Sequence, residues 1–147
     1  MFVPATEEQS VSATAATVSR TPSVRRRALG VGAAVLACAL IWIVGAIAGV
    51  DYTVENPGQP AFTVGLAPVV VFALVSALVG WVGLVVLERF AGRRAGVIWI
   101  ALAVVLALLS LAPVFATEAT VGAKVALGAM HLAVAAVLIP LLPARRG

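Results

Sequence analysis

Very few side chains in this 147-residue sequence are equipped for chemistry, and each sits in or beside apolar surroundings. The chain has one histidine, His131, one cysteine, Cys38, and one lysine, Lys124. An imidazole inside an apolar run can relay protons, or serve as an axial haem ligand if two chains each contribute one. The plainer reading is an interior histidine, hydrogen-bonded and setting helix register. One histidine and one buried cysteine are too few ligands for zinc, and a single cysteine rules out an internal disulfide. Lys124 falls on the side expected to hold Asp51, Glu55 and Glu118. A structural ion pair is expected there, the alternative being an anion or headgroup site. No Gly-rich phosphate loop, HExxH, GxSxG or CxxC is present. The first apolar run also lacks the glutamate that small four-helix multidrug exporters carry there. No cofactor, no metal and no enzymatic activity are expected.

The elements that must position these residues are four apolar runs, 28–50, 65–87, 95–114 and 121–142. At 63% hydrophobic and 11% charged, the chain is too apolar for a soluble globule. About 20 helical residues cross a hydrocarbon core of about 30 Å, and every run reaches that length. Helices satisfy their own backbone in lipid, and these runs lack the alternation of barrel strands. The expected fold is therefore all-α, an integral membrane four-helix antiparallel bundle over 28–142. Residues 1–27 are expected to be a disordered cytoplasmic tail and 143–147 a short basic cytoplasmic terminus. Pro140 and Pro143 are expected to end the last helix.

Arginine gives the orientation. Arg20, Arg25, Arg26, Arg27, Arg89, Arg93, Arg94, Arg145 and Arg146 all precede the first run, join the second to the third, or follow the fourth. Positive residues stay on the cytoplasmic side, so both termini are expected inside and the connection 51–64 outside, in a bacterial plasma membrane crossed several times. Arg25, Arg26, Arg27, Arg89, Arg93, Arg94, Arg145 and Arg146 read as anchors on anionic headgroups, and Glu88 as a border partner of Arg89, Arg93 and Arg94. Tyr52, Phe62 and Phe115 are placed at the outer border, Trp81 and Trp99 toward the inner one. The net charge of +4 does not imply nucleic acid, because the basic residues lie at membrane borders and not on one face. The partner expected is the bilayer, with a homo-oligomer or a larger membrane complex beyond it. Faint twin-arginine and lipoprotein-like signals precede and surround Cys38, but the sequence stays apolar after it, so no cleavage is expected. Arginine over lysine at nine to one fits a GC-rich bacterial genome.

Small residues recur at helical spacing: Ala34, Cys38, Trp42, Gly45 and Gly49; Ala73, Ser76, Gly80 and Gly83; Ala103, Ala107 and Ser110; Lys124, Gly128, His131 and Ala135. Helices in lipid associate by close backbone approach, so these stripes are expected to face the bundle interior. At about 1.5 Å per residue, His131 and Ser76 both lie roughly 15 Å from the outer ends of their runs, with Cys38 and Trp42 bracketing that level. A thin midplane polar layer of His131, Ser76, Cys38 and Trp42 follows, in which the imidazole is expected to hydrogen-bond the Ser76 hydroxyl or a backbone carbonyl.

The stretch Met130-His131-Leu132-Ala133-Val134-Ala135-Ala136-Val137-Leu138-Ile139-Pro140, with Leu109-Ser110-Leu111-Ala112-Pro113, the Gly-rich first helix ending in Asp51, and Lys124 before the histidine, resembles an uncharacterised family of small four-helix actinobacterial membrane proteins, domain of unknown function 6069. The resemblance covers about 28–142. It implies the four-helix fold and carries over no catalytic residue. The expected function is a non-enzymatic scaffold or accessory subunit packing through small-residue faces; the alternative is a small transporter or permeation unit built on the His131 layer.

Overall fold

The computed structural model describes residues 21–143, which are mostly helical. Its α-helices are α1, Thr21–Ile47; α2, Leu66–Ala91; α3, Ala95–Ala116; and α4, Val121–Leu141. The tail expected over 1–20, with Arg20, and the terminal Arg145 and Arg146 lie outside the described residues. Residues 21–27, expected in the tail, instead form the first turns of α1. Pro22 is harmless there because first-turn amides have no intrahelical acceptor, and arginine is a good helix former. Pro140 does not end α4 but sits inside its last turn.

By length and composition, three helical stretches could each cross a membrane: Val24–Ile47, Leu66–Ala116 and Val121–Leu141. Four separate spans were expected. The difference lies in the connection 88–94, which is helical throughout. α2 runs on to Ala91, and a single 3-10 turn, Gly92–Arg94, leads straight into α3, so the middle stretch is continuous over 51 residues. Glu, Arg, Phe and Ala all tolerate helix, and the change of direction falls on one residue. Gly92 takes φ +49°, a conformation that a Cβ disfavours. Beyond this turn α2 and α3 touch, though less closely than α1 touches α2 and α4.

The all-α expectation also needs correction. Strands β1 (Thr53–Glu55), β2 (Phe62–Thr63) and β3 (Glu118–Ala119) form an antiparallel sheet in the order β2-β1-β3. Val54 pairs with Phe62 on one side and Ala119 on the other. β-branched and aromatic residues suit strands, but runs of two or three lie below any periodic signal. The sheet brings the connections after α1 and after α3 to one end of the molecule, the sheet end. Thr120 fastens α4 there: its hydroxyl accepts from Ala123 N (3.2 Å) and donates to the Asp51 carbonyl (3.1 Å). α1 stops in a Schellman motif, with Gly49 at φ +79°, Val50 N donating to Gly45 O (2.9 Å) and Gly49 N to Ala46 O (3.1 Å). Gly49 is therefore a helix stop and not the second half of a packing GxxxG.

Two apolar clusters hold the helices together. Near the sheet, Cys38, Tyr52, Val69, Ala73, Ala126 and Met130 are buried. Toward the opposite, arginine-rich end, the buried set is Val31, Ala34, Ala77, Leu84, Trp99, Leu138 and Leu142. Most outward Leu, Val and Ile side chains are exposed, as expected where the surrounding solvent is hydrocarbon.

Candidate functional site

Three of the four residues assigned to the midplane layer share one level. Ser76 lies ten residues into α2 and His131 ten into α4, and Cys38 lies nine from the end of α1, so each sits roughly 14–15 Å below the sheet end. Cys38 is buried and its thiol points to the Met130 carbonyl at 3.7 Å. Trp42 does not belong with them. It sits one turn higher, donates Nε1–H to the Val64 carbonyl (2.9 Å) and stacks on Tyr52 with ring centroids 5.5 Å apart. Tyr52 is likewise no border aromatic: it is buried and folds back so that its hydroxyl donates to the Trp42 carbonyl (3.2 Å). A Cβ on Gly45 would collide with that hydroxyl, so glycine there makes room for the ring.

Of the two partners expected for His131, it takes a backbone carbonyl and not the Ser76 hydroxyl. Its Nδ1 lies 2.8 Å from the Leu127 carbonyl one turn back. A carbonyl can only accept, so in the neutral ring Nδ1 carries the proton and Nε2 is left as an acceptor. Ser110 spends its hydroxyl proton on the Ala107 carbonyl (2.7 Å), while Ser76 makes no hydrogen bond among the described residues.

The small-residue stripes reveal an unexpected feature. Ser76, Gly80 and Gly83 of α2, Ala103, Ala107 and Ser110 of α3, and His131 and Ala135 of α4 do face one another, but across a gap. Ala73, the first residue of that α2 stripe, does close the helix against its neighbours, together with Ala77 and Leu84. Between α2 and α3, with α4 as floor, runs a groove of about 730 Å³. It is open along one side and is not a sealed cavity. The groove is therefore filled by whatever surrounds the helices. Trp99 lines its arginine-rich end, seated over Gly80. Although nine-tenths buried, its indole N–H has no partner among the described residues.

The charged residues rearrange the expected pairs. Lys124 does not meet Asp51, Glu55 or Glu118; its ammonium donates to the Phe115 carbonyl (3.3 Å). The link from α4 to the end of α1, expected from Lys124 and Asp51, is made by Thr120. Asp51 is exposed and accepts at Oδ1 from the Thr53 hydroxyl (2.7 Å) and the Thr53 N–H (3.0 Å), which hold its carboxyl below the usual range. At the opposite end, Arg27 is no headgroup anchor. It is buried, its Nη2 pairs with Glu88 Oε1 (2.5 Å) and its Nε donates to the Leu142 carbonyl (2.9 Å). One guanidinium thus joins α1 to α2 and caps the negative end of α4. Arg25, Arg89 and Arg94 are exposed and Arg26 half-buried, compatible with a border position. Glu88 was assigned to its sequence neighbours because a partner 61 residues away leaves no local signal.

Long apolar helices fastened at both ends, with lipid-like exposed faces, define a protein of the membrane-embedded helical class. The chain belongs to a family of unknown function, DUF6069, whose model matches residues 18–147. No curated protein and no solved structure matches it.

Proposed function

We propose that the chain is a non-enzymatic four-crossing protein of the plasma membrane, a scaffold or accessory subunit with both termini in the cytoplasm. The middle helical stretch supports four crossings: 51 residues would extend about 76 Å, far beyond a core of about 30 Å, and the chain turns at Gly92. Half of it, α2 or α3, spans the core once. The exposed arginines beside that turn support the inward orientation.

A static role rests on one observation, the fastening of both ends. The β2-β1-β3 sheet and Thr120 tie the helix ends on one side, and Arg27 ties α1, α2 and α4 on the other. Alternating access needs one part to rock against another. These ties oppose such rocking, and His131 lines a side groove with apolar walls and no charged residue. In a Cys38→Ala background, Gln59→Cys should react with an impermeant maleimide in intact cells, and an amino-terminal tag should resist protease until lysis. The converse pattern reverses the orientation. Reconstituted protein should not dissipate a proton gradient; a flux abolished by His131→Leu would replace the scaffold with a permeation unit.

A further inference from the structure

We propose that the groove between α2 and α3 is a binding site for a neutral hydroxylated lipid, a hydrocarbon chain bearing a hydroxyl part-way along its length. The inference relies on the membrane placement proposed above but not on the scaffold role. The groove follows α2 from Val69 to Leu87, eighteen residues or about 27 Å. Its volume of about 730 Å³ falls within the range of small-molecule sites, about 300–1,000 Å³.

Polarity sets the class of occupant. No Asp, Glu, Lys or Arg lines the groove, so nothing there neutralises a charged head. The walls are apolar along most of their length; Ser76 and His131 share one level, and Ser110, nearer the sheet end, already donates its hydroxyl proton to the Ala107 carbonyl. His131 presents an acceptor, because the Leu127 carbonyl holds the proton on Nδ1. The Ser76 side chain, at the same level, makes no hydrogen bond among the described residues. A plain acyl chain would leave the imidazole acceptor unpaired in hydrocarbon, whereas a hydroxyl can donate to Nε2.

Shape argues against a helix of a second copy. The groove is lined as far as Leu87 and Trp99, and a three-residue turn joins α2 to α3 just beyond, so the two walls converge toward that end. A helix about 10–12 Å across cannot lie along the full length of a wedge whose walls are joined at one membrane border, but the tip of a hydrocarbon chain can.

The test uses purified protein in mild detergent micelles, where neither orientation nor flux is read, so its failure is distinct from that of the proposed function. The probe is the methyl ester of 12-doxylstearate, whose nitroxide quenches tryptophan. Saturable quenching is expected, with the saturable part lost in Trp99→Phe. Methyl 12-hydroxystearate should displace the probe about fivefold more effectively than methyl stearate, the effect of one neutral hydrogen bond. His131→Leu should abolish that preference. A Cβ on Gly83 meets nothing within 4 Å, so Gly83→Phe should occupy the groove and remove saturable quenching while keeping the far-ultraviolet helical signal. Should that variant lose its helical signal, Ala107→Phe on the facing wall takes its place. Equal displacement by the two esters, quenching unchanged in the filled groove, or disulfide cross-linking of two copies through Gly83→Cys in a Cys38→Ala background with no saturable quenching would each overturn the proposal.

Discussion

Removing Glu88 should harm this protein more than removing Arg27, although the two residues form one ion pair. The guanidinium is almost wholly buried, with 10% of its side chain exposed, whereas the Glu88 side chain is 35% exposed. In Glu88→Ala the buried cation keeps only the Leu142 carbonyl. Stranding a fully buried charge costs about 3–5 kcal/mol, and the partial exposure of this pair reduces that to roughly 2–3 kcal/mol. In Arg27→Met the methionine refills much of the volume, and the carboxylate left behind can turn toward water. What remains is the Leu142 carbonyl at the end of α4 without its donor, roughly 1–2 kcal/mol. The double variant should be no worse than Glu88→Ala, giving a coupling of about 1–2 kcal/mol in the cycle. Unfolding in mixed micelles with rising sodium dodecyl sulfate, followed by near-ultraviolet circular dichroism, measures all four proteins under one condition. Additive losses, or a larger loss in Arg27→Met than in Glu88→Ala, would refute the claim that the clamp acts as a unit around a buried cation.

Gly45→Ala should cost about 1–3 kcal/mol, because the new methyl displaces the Tyr52 hydroxyl and disturbs the ring stack on Trp42. In a Tyr52→Phe background the same substitution should cost much less, as read by tryptophan emission and unfolding; an equal cost would place the strain elsewhere. The Asp51 carboxyl is held low by its bonds from Thr53, so it stabilises the start of β1 above its unfolded value, about 3.9, and that contribution fades as pH falls below it through the folded value. Protection of the Thr53 amide should therefore be flat from about pH 8 to pH 5 and decline only below about pH 4. Asp51→Asn should remove the decline, and a loss of protection centred near pH 6 would point to another group.

Much of the helical layout was legible in the residues. Strongly apolar runs predict helices, and the starts of α2, α3 and α4 fall within a residue of the expected positions. Boundaries failed where local preferences were neutral: Thr21–Arg27 and Glu88–Ala91 are as content in a helix as in a loop, and neighbouring turns drew them in. The sheet was missed for a different reason. Its strands are too short for a pattern, and β3 exists only because the chain returns to the same end, pairing Val54 with Ala119 and Glu55 with Glu118.

The candidate site divides in the same way. Depth along a helix is a matter of counting residues, so the common level of Cys38, Ser76 and His131 follows from position alone. Partner choice is not a local quantity. Arg27 and Glu88, Lys124 and the Phe115 carbonyl, and Tyr52 and Trp42 meet because packing brings distant surfaces together, and no spacing rule records that. Nor does a run of small residues state whether the facing helix closes onto it. Composition determined that this chain belongs among helices in hydrocarbon, since transfer from water is a sum over residues. Whether α2 and α3 meet or stand apart is a balance of contacts among all the helices, and only the assembled structure strikes it.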